Sequence, residues 1–362
     1  MLPMKRLQLL TASALALGVF ALGGAAAAQN ATPVPPTNTP LPIPEAGAIT
    51  QAILDRGALV CGVNPNLPGF GAPNDAGEYV GFDVDVCRAV AAAILGDASA
   101  VEYRPLTGAE RQPALASGEV DLISRNTTFS LSRDTLWGAS FAPTTFYDGQ
   151  GVMVRAADGI ASLEDLEGGT ICTNAGTTTE LNITDAMASR GLDFELQTFQ
   201  DSAGFMGAFY EGRCDAVTTD ISGLISQQAS APDPGSLLIL DVTLSKEPLG
   251  PLSPQSDAQF ADIVRWTIFG LIQAEEFGIT SENVDTFLTS TNPDIQRFLG
   301  VSGTLGETLN LPNDFMVTVI RQVGNYGEIF DRHLGPDTVF SIERGLNDLY
   351  TNGGLLYAPP FR

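Results

Sequence analysis

Between residues 58 and 220 the sequence alternates short apolar runs with amphipathic segments, and no other feature restricts the possible folds so much. ALVCGV (Ala58 to Val63), VEYRPL, VDLIS, GVMV, TICT, FELQTF and DAVTT read as strands. Glu110 to Ala116, Glu180 to Ser189 and Ala203 to Tyr210 read as helices between them. After the first strand, Cys87, Val90, Ala91 and Ile94 fall at helical spacing behind Asp83, a candidate cap, and Gly96 ends the run. Strands that alternate with helices imply a mostly parallel sheet with helices on both faces. The class is α/β.

A weak internal repeat divides this pattern in two. SGEVDLISRN (Ser117 to Asn126) and EGRCDAVTTD (Glu211 to Asp220) share Gly, Asp, an apolar pair, Ser or Thr, and Asn or Asp in register. Two similar lobes would explain the match, as would two unrelated helix-to-strand turns. In either case Asn126 and Asp220 fall just past the carboxyl ends of strands, where open α/β sheets bind ligands. A chain of 362 residues has room for two domains.

Charge and composition remove several functions. With 42 acidic against 18 basic side chains and a net charge of -24, the chain repels phosphate polymers, so nucleic-acid binding is not expected. The single histidine, His333, leaves little material for Ser-His-Asp catalysis or histidine-rich zinc sites. The four cysteine spacings match no compact zinc motif, and neither metal nor cofactor is expected. Lys5 and Arg6, the apolar run from about Leu7 to Leu22, and Ala26-Ala27-Ala28 read as an export signal (1–28) removed before Gln29. The stretch ATPVPPTNTPLPIP then suits an extended tether, giving a proline-rich linker over 29–47. No later run is long and apolar enough to span a bilayer, so the mature chain is expected to be soluble in the periplasm.

Several longer segments carry a resemblance. They are NPNLPGFGAPNDAGEYVGFDVDVCRAVA (Asn64 to Ala91), SGEVDLISRNTTFSLSRDTLWGASFAPTTFYDGQGVMV, NAGTTTELNI with GRCDAVTTD, SKEPLGP, and the terminal GGLLYAPPFR. In this order, over roughly 50–362, the chain resembles the periplasmic amino-acid-binding proteins of ABC importers, most nearly the general L-amino-acid-binding subfamily. The resemblance implies a bilobal periplasmic-binding-protein fold of type II, with two α/β lobes joined by a two-crossing hinge. Lobe one would take 48–146 and 250–362, and lobe two 147–249. The expected partners are free L-amino acids and an inner-membrane ABC permease, and the expected state is a monomer. A cyclohexadienyl-dehydratase-like enzyme on the same scaffold is the alternative. It needs a cleft acid or base, and the motifs offer Asp220 without a second catalytic group.

A free amino acid carries a carboxylate and an ammonium on one carbon, so its receptor needs a cation with donors on one side and an anion on the other. Arg133 supplies the cation, because a guanidinium grips a carboxylate with two parallel bonds. The competing reading pairs it with Asp134 on the surface. Thr128 can add a hydroxyl and an amide from an expected helix start. Gly176, Thr177, Thr178 and Thr179 lead from a strand into a helix, where threonines serve either as anion donors or as caps. Asp220 is the partner for the ammonium, or else a cap for a helix near Ser222. The resemblance implies that Thr177 and Thr178 complete the carboxylate cradle and that Asn64, Leu67, Phe70 and Asn126 line the first-lobe wall. Many similar proteins carry an aromatic ring where this chain has Leu67, so ring stacking on the ligand is not carried over. None of these positions leaves a charge to select a side chain, and broad specificity is expected. The cysteines of an exported protein suggest two disulfides with three possible pairings. A bridge between lobes would lock the hinge, which favours Cys61 with Cys87 and Cys172 with Cys214.

Overall fold

In the computed structural model residues 45–362 are described, so the export signal and all but the last three residues of the linker lie outside the described residues. The Leu59–Val63 strand is buried at every position, as its unbroken apolar run requires. It lies inside a five-stranded sheet whose order is Val101–Pro105, Leu59–Val63, Leu122–Ile123, Leu252–Pro254 and Ala139–Phe141. A second sheet orders Leu237–Ile239, Phe146–Arg155, Ala216–Asp220, Thr170–Asn174 and Glu195–Phe199, with Lys246–Leu249 paired to the start of the long strand.

Each sheet is parallel only in part. The strands that alternate with helices run parallel, whereas Leu252–Pro254 and Phe146–Arg155 enter antiparallel to their neighbours. These are the segments that carry the chain between the sheets through short connections, and a short connection reverses direction where a crossover helix would not. The expectation of a mostly parallel sheet is therefore corrected to two mixed sheets. The two crossings pair with each other antiparallel, from Phe146↔Leu249 to Gly149↔Lys246, and form a ribbon between the lobes.

The first sheet packs on the Phe82–Leu95 helix, whose alanine-rich face admits close neighbours. The C-terminal helices Ala258–Glu276, Phe315–Val323 and Tyr326–His333 add Ile268, Val319 and Phe330 to the same core. They also reach the first crossing. The Tyr326 hydroxyl donates to the Thr145 carbonyl at 2.7 Å, and the Asn347 side chain exchanges bonds of 2.6 and 3.1 Å with the Tyr147 backbone. The second sheet is covered on both faces, by Phe205, Phe209 and Leu224 on one and by Leu166, Ile183 and Met187 on the other.

The cysteines pair as Cys61–Cys87 and Cys172–Cys214, one bridge on each sheet. Asp83 is not a cap. Gly81 occupies that position without a side-chain bond, and the buried Asp83 carboxylate instead accepts the Asn126 amide at 2.8 Å. In both copies of the repeat the glycine ends a turn in the left-handed region, Gly118 at φ 73° and Gly212 at φ 75°.

Candidate functional site

The two ends of the repeat meet. Asn126 Nδ2 donates to Asp220 Oδ2 at 3.1 Å, so equivalent strand ends of the two sheets face each other across a cleft. Asn126 holds φ at 30°, a costly backbone that its neighbours enforce. Asp83 takes its amide, and Asn64 Nδ2 donates to its side-chain oxygen at 3.1 Å. Elsewhere the lobes touch directly, through Ser226 Oγ to the Pro68 carbonyl at 2.6 Å and Asn66 Nδ2 to Asp201 at 3.2 Å. A Cβ on Gly108 would lie 3.0 Å from the Ala175 carbonyl oxygen, so a side chain here would press the two segments apart. The cleft is closed.

Arg133 lines it, and its guanidinium is buried. Ser130 caps the Leu131–Leu136 helix that carries it, Nη1 donates to the Thr128 carbonyl at 3.0 Å, and the Trp137 ring lies 5.1 Å from the guanidinium carbon. Pairing with Asp134 does not occur. Burial disfavours the charged form of Arg133, and Glu247 and Asp220 oppose that effect.

Asp220 ends its strand with no capping bond, and the amide and hydroxyl of Ser222 go to Asp148 instead. The capping alternative is thus filled by another carboxylate. Asp220 accepts one bond, from Asn126 Nδ2, and leaves its other oxygen for an ammonium. Burial, then the neighbouring Asp148 and Glu247, push its carboxyl up to about 8, while Asn126 and Arg111 pull it down. Asp148 is likewise raised to about 6, chiefly by burial.

The threonines divide. Thr128 is not at a helix start, since it runs extended against Leu249 of the second crossing. Its hydroxyl donates to Glu247 Oε2 at 2.5 Å, and Thr178 donates to the same oxygen at 3.1 Å. Asn182 and Ser245 complete four donors on Glu247, which is 1 % exposed and bridges both lobes from the hinge ribbon. The hydroxyls expected to hold a ligand carboxylate are therefore engaged by a protein carboxylate. The Thr177 hydroxyl caps its helix, accepting from the Glu180 amide and donating to the Asn174 carbonyl. For an anion this turn offers first-turn amides rather than side chains.

Of the expected wall residues, Asn126 lines the cleft, and Asn64 supports it from behind. Leu67 packs toward Gly223 at the lobe contact. Phe70 is corrected to a core residue, 1 % exposed, with its ring edge-on to Phe146 at 5.2 Å and to Phe82 at 6.1 Å. The surrounding aromatic cluster draws it inward.

Sequence reading missed two cations. Arg111 and Arg125 are buried and line the same cleft. Arg111 donates to the Gly108 carbonyl and Thr127 Oγ1, and Arg125 to the Leu106 carbonyl and Asn126 Oδ1. Burial holds Arg111 well below the usual guanidinium range, helped by Arg133 and Arg125, and lowers Arg125 to about 10. A signal existed for Arg111, which stands with Ala114 and Leu115 at helical core spacing. Asn174 was also missed, and its buried Oδ1 has no partner.

Two α/β lobes on a two-stranded hinge ribbon, closed over a polar cleft that sets a buried guanidinium against a buried carboxyl, define a bilobal solute-binding protein. The chain belongs to the bacterial extracellular solute-binding proteins, family 3, whose family model matches residues 59–353. It is 47% identical over 322 residues to the glutamate/glutamine/aspartate/asparagine-binding protein BztA of Rhodobacter capsulatus, covering 88% of this chain and 95% of that one. It is 48% identical over 309 residues to the general L-amino acid-binding periplasmic protein AapJ of Rhizobium johnstonii, covering 85% and 91%. Among solved structures, a periplasmic binding protein from Brucella ovis with glutathione bound shares 46% identity at a TM-score of 0.85, covering 88% of this chain and all of that one. No helix among the described residues is long and apolar enough to cross a membrane.

Proposed function

We propose that this protein captures free L-amino acids in the cleft between its lobes and delivers them to an ABC permease of the inner membrane. The observation that carries this reading is the opposition of Arg133 and Asp220 in one closed cleft, which matches the carboxylate and ammonium of an amino acid. The names of the similar proteins from Rhodobacter and Rhizobium support it. Lobe one comprises 48–146 and 250–362, lobe two 147–249, and the lobes separate by bending the hinge ribbon. Arg133 and the amides at Thr177 and Thr178 hold the carboxylate, Asp220 the ammonium, and Asn126 and Thr128 fix the lobes around them. Removal of residues 1–28 leaves a monomer in the periplasm. The dehydratase alternative finds no support among these relatives, which are named as binding proteins. Melting the purified protein against each of the twenty L-amino acids tests the reading. Ligands should raise the melting temperature, and a panel without any response contradicts it.

A further inference from the structure

The described chain beyond Pro254 adds no strand to either sheet, yet it reaches the hinge ribbon. Opposite Tyr147 of the first crossing stands Pro248 of the second, which has no N–H to give. In an antiparallel pair of this kind the amide and carbonyl of Tyr147 face away from the partner strand. One side chain meets both. Asn347 Oδ1 accepts the Tyr147 amide at 2.6 Å, and Asn347 Nδ2 donates to the Tyr147 carbonyl at 3.1 Å. This carboxamide is buried and pairs with the strand edge as a neighbouring strand would. Across the ribbon the Pro248 carbonyl accepts the Phe129 amide at 2.8 Å, so this end of the ribbon is held along both edges.

The turn that carries Asn347 is itself fixed. Arg344 Nε donates to the Asn347 carbonyl at 2.8 Å, and Nη2 lies 3.0 and 3.1 Å from the two carboxylate oxygens of Glu275. The Arg344 guanidinium carbon is 5.2 and 5.0 Å from the Tyr326 and Phe330 rings, and Tyr326 adds its bond to the Thr145 carbonyl. Beyond Tyr147 this support stops. From Gln150 onward the first crossing pairs with Ala216–Asp220 in the second sheet, and the Asp148 carboxylate accepts from Ser222 of the second lobe. Asp148 and Gly149 lie between two anchored ends.

We infer that the C-terminal extension braces the hinge, with Asn347 as the positioning residue that keeps the first crossing rigid up to Tyr147 and confines lobe opening to Asp148 and Gly149. The brace acts on closure rather than on ligand contacts, and it rests on the two-lobe reading above. A braced crossing leaves the ligand-free protein fewer open arrangements, so closing on a ligand surrenders less conformational freedom. Asn347 does not line the cleft, and every ligand therefore gains by the same factor.

Small-angle X-ray scattering and calorimetric titration of the mature protein test this in wild type and Asn347→Leu, which removes both bonds at similar volume. The ligand-free variant should show a larger radius of gyration than ligand-free wild type, and the two should coincide when saturated with ligand. Affinity for each L-amino acid that wild type binds should fall by a common factor of about three to ten. Tyr326→Phe, which deletes only the hydroxyl bond to Thr145, should move both readings the same way by less, and it decides the matter if Asn347→Leu does not fold. A lowered melting temperature with scattering and affinity unchanged makes Asn347 a packing residue only and overturns the inference, as does affinity lost without a change in ligand-free scattering. If wild type binds no amino acid, the amino-acid reading fails, while ligand-free scattering still decides the brace.

Discussion

Because Asp220 is buried beside Asp148 and Glu247, its carboxyl titrates near 8 rather than near the usual 3.8. In the closed cleft this group is therefore held largely protonated at pH values where a free carboxyl is ionised. An amino-acid ammonium needs the ionised form, so capture must expel a proton. Below about 8 the complex therefore binds fewer protons than its separated parts, and affinity rises with pH. The slope approaches tenfold per unit well below 8, and the span from pH 6 to pH 8 is worth about 50-fold, or about 2.3 kcal/mol. Above about 8 the dependence flattens. Calorimetry in two buffers of different ionisation heat reads the released proton directly, near one at pH 6 and about half at pH 8. Asp220→Asn should abolish both the release and the slope while weakening every amino acid. In the ligand-free protein the sign reverses. A raised carboxyl lends stability that is lost as pH climbs from about 4 to about 8, so Asp220→Asn should gain on wild type over that window. Affinity that stays flat from pH 6 to pH 8 without proton release would refute the assignment of Asp220 to the ammonium.

Two further outcomes follow from the geometry. Glu247→Ala leaves four donors, the buried Thr128 hydroxyl among them, without their acceptor and removes a tie between the lobes; about 2 to 4 kcal/mol should be lost, seen as a melting temperature lower by roughly 5 °C or more, and an unchanged melting curve contradicts this role. Protein denatured without reductant should show no free thiol, and peptide mapping should find Cys61 with Cys87 and Cys172 with Cys214; a bridge joining the two pairs contradicts the hinge.

Alternation of strands and helices made the α/β class legible because periodicity records which face of each element is buried. The mixed sheets were not legible from it, since direction at the crossings depends on which lobe the chain enters next. Asp220 could be read from its position after a strand, and Arg133 from residue type together with the resemblance. Their surroundings could not. Glu247 lies far along the chain from Thr128, and only the closed lobes bring it onto that hydroxyl. Phe70 in a proline- and glycine-rich loop looks exposed, but three-dimensional packing against Phe82 and Phe146 decides its burial. Arg111 shows the opposite failure, a charge that local pattern placed in a helix without indicating the shared indole of Trp137.

The central claim, that the cleft recognises the backbone of a free amino acid through Arg133, is tested most directly by titrating wild-type protein and Arg133→Ala with the same set of L-amino acids. Truncation strands a buried ligand carboxylate, which costs about 3 to 5 kcal/mol. Affinity should fall on the order of 100-fold or more for every ligand alike, with melting of the ligand-free variant close to wild type. Near-wild-type affinity in Arg133→Ala contradicts the account.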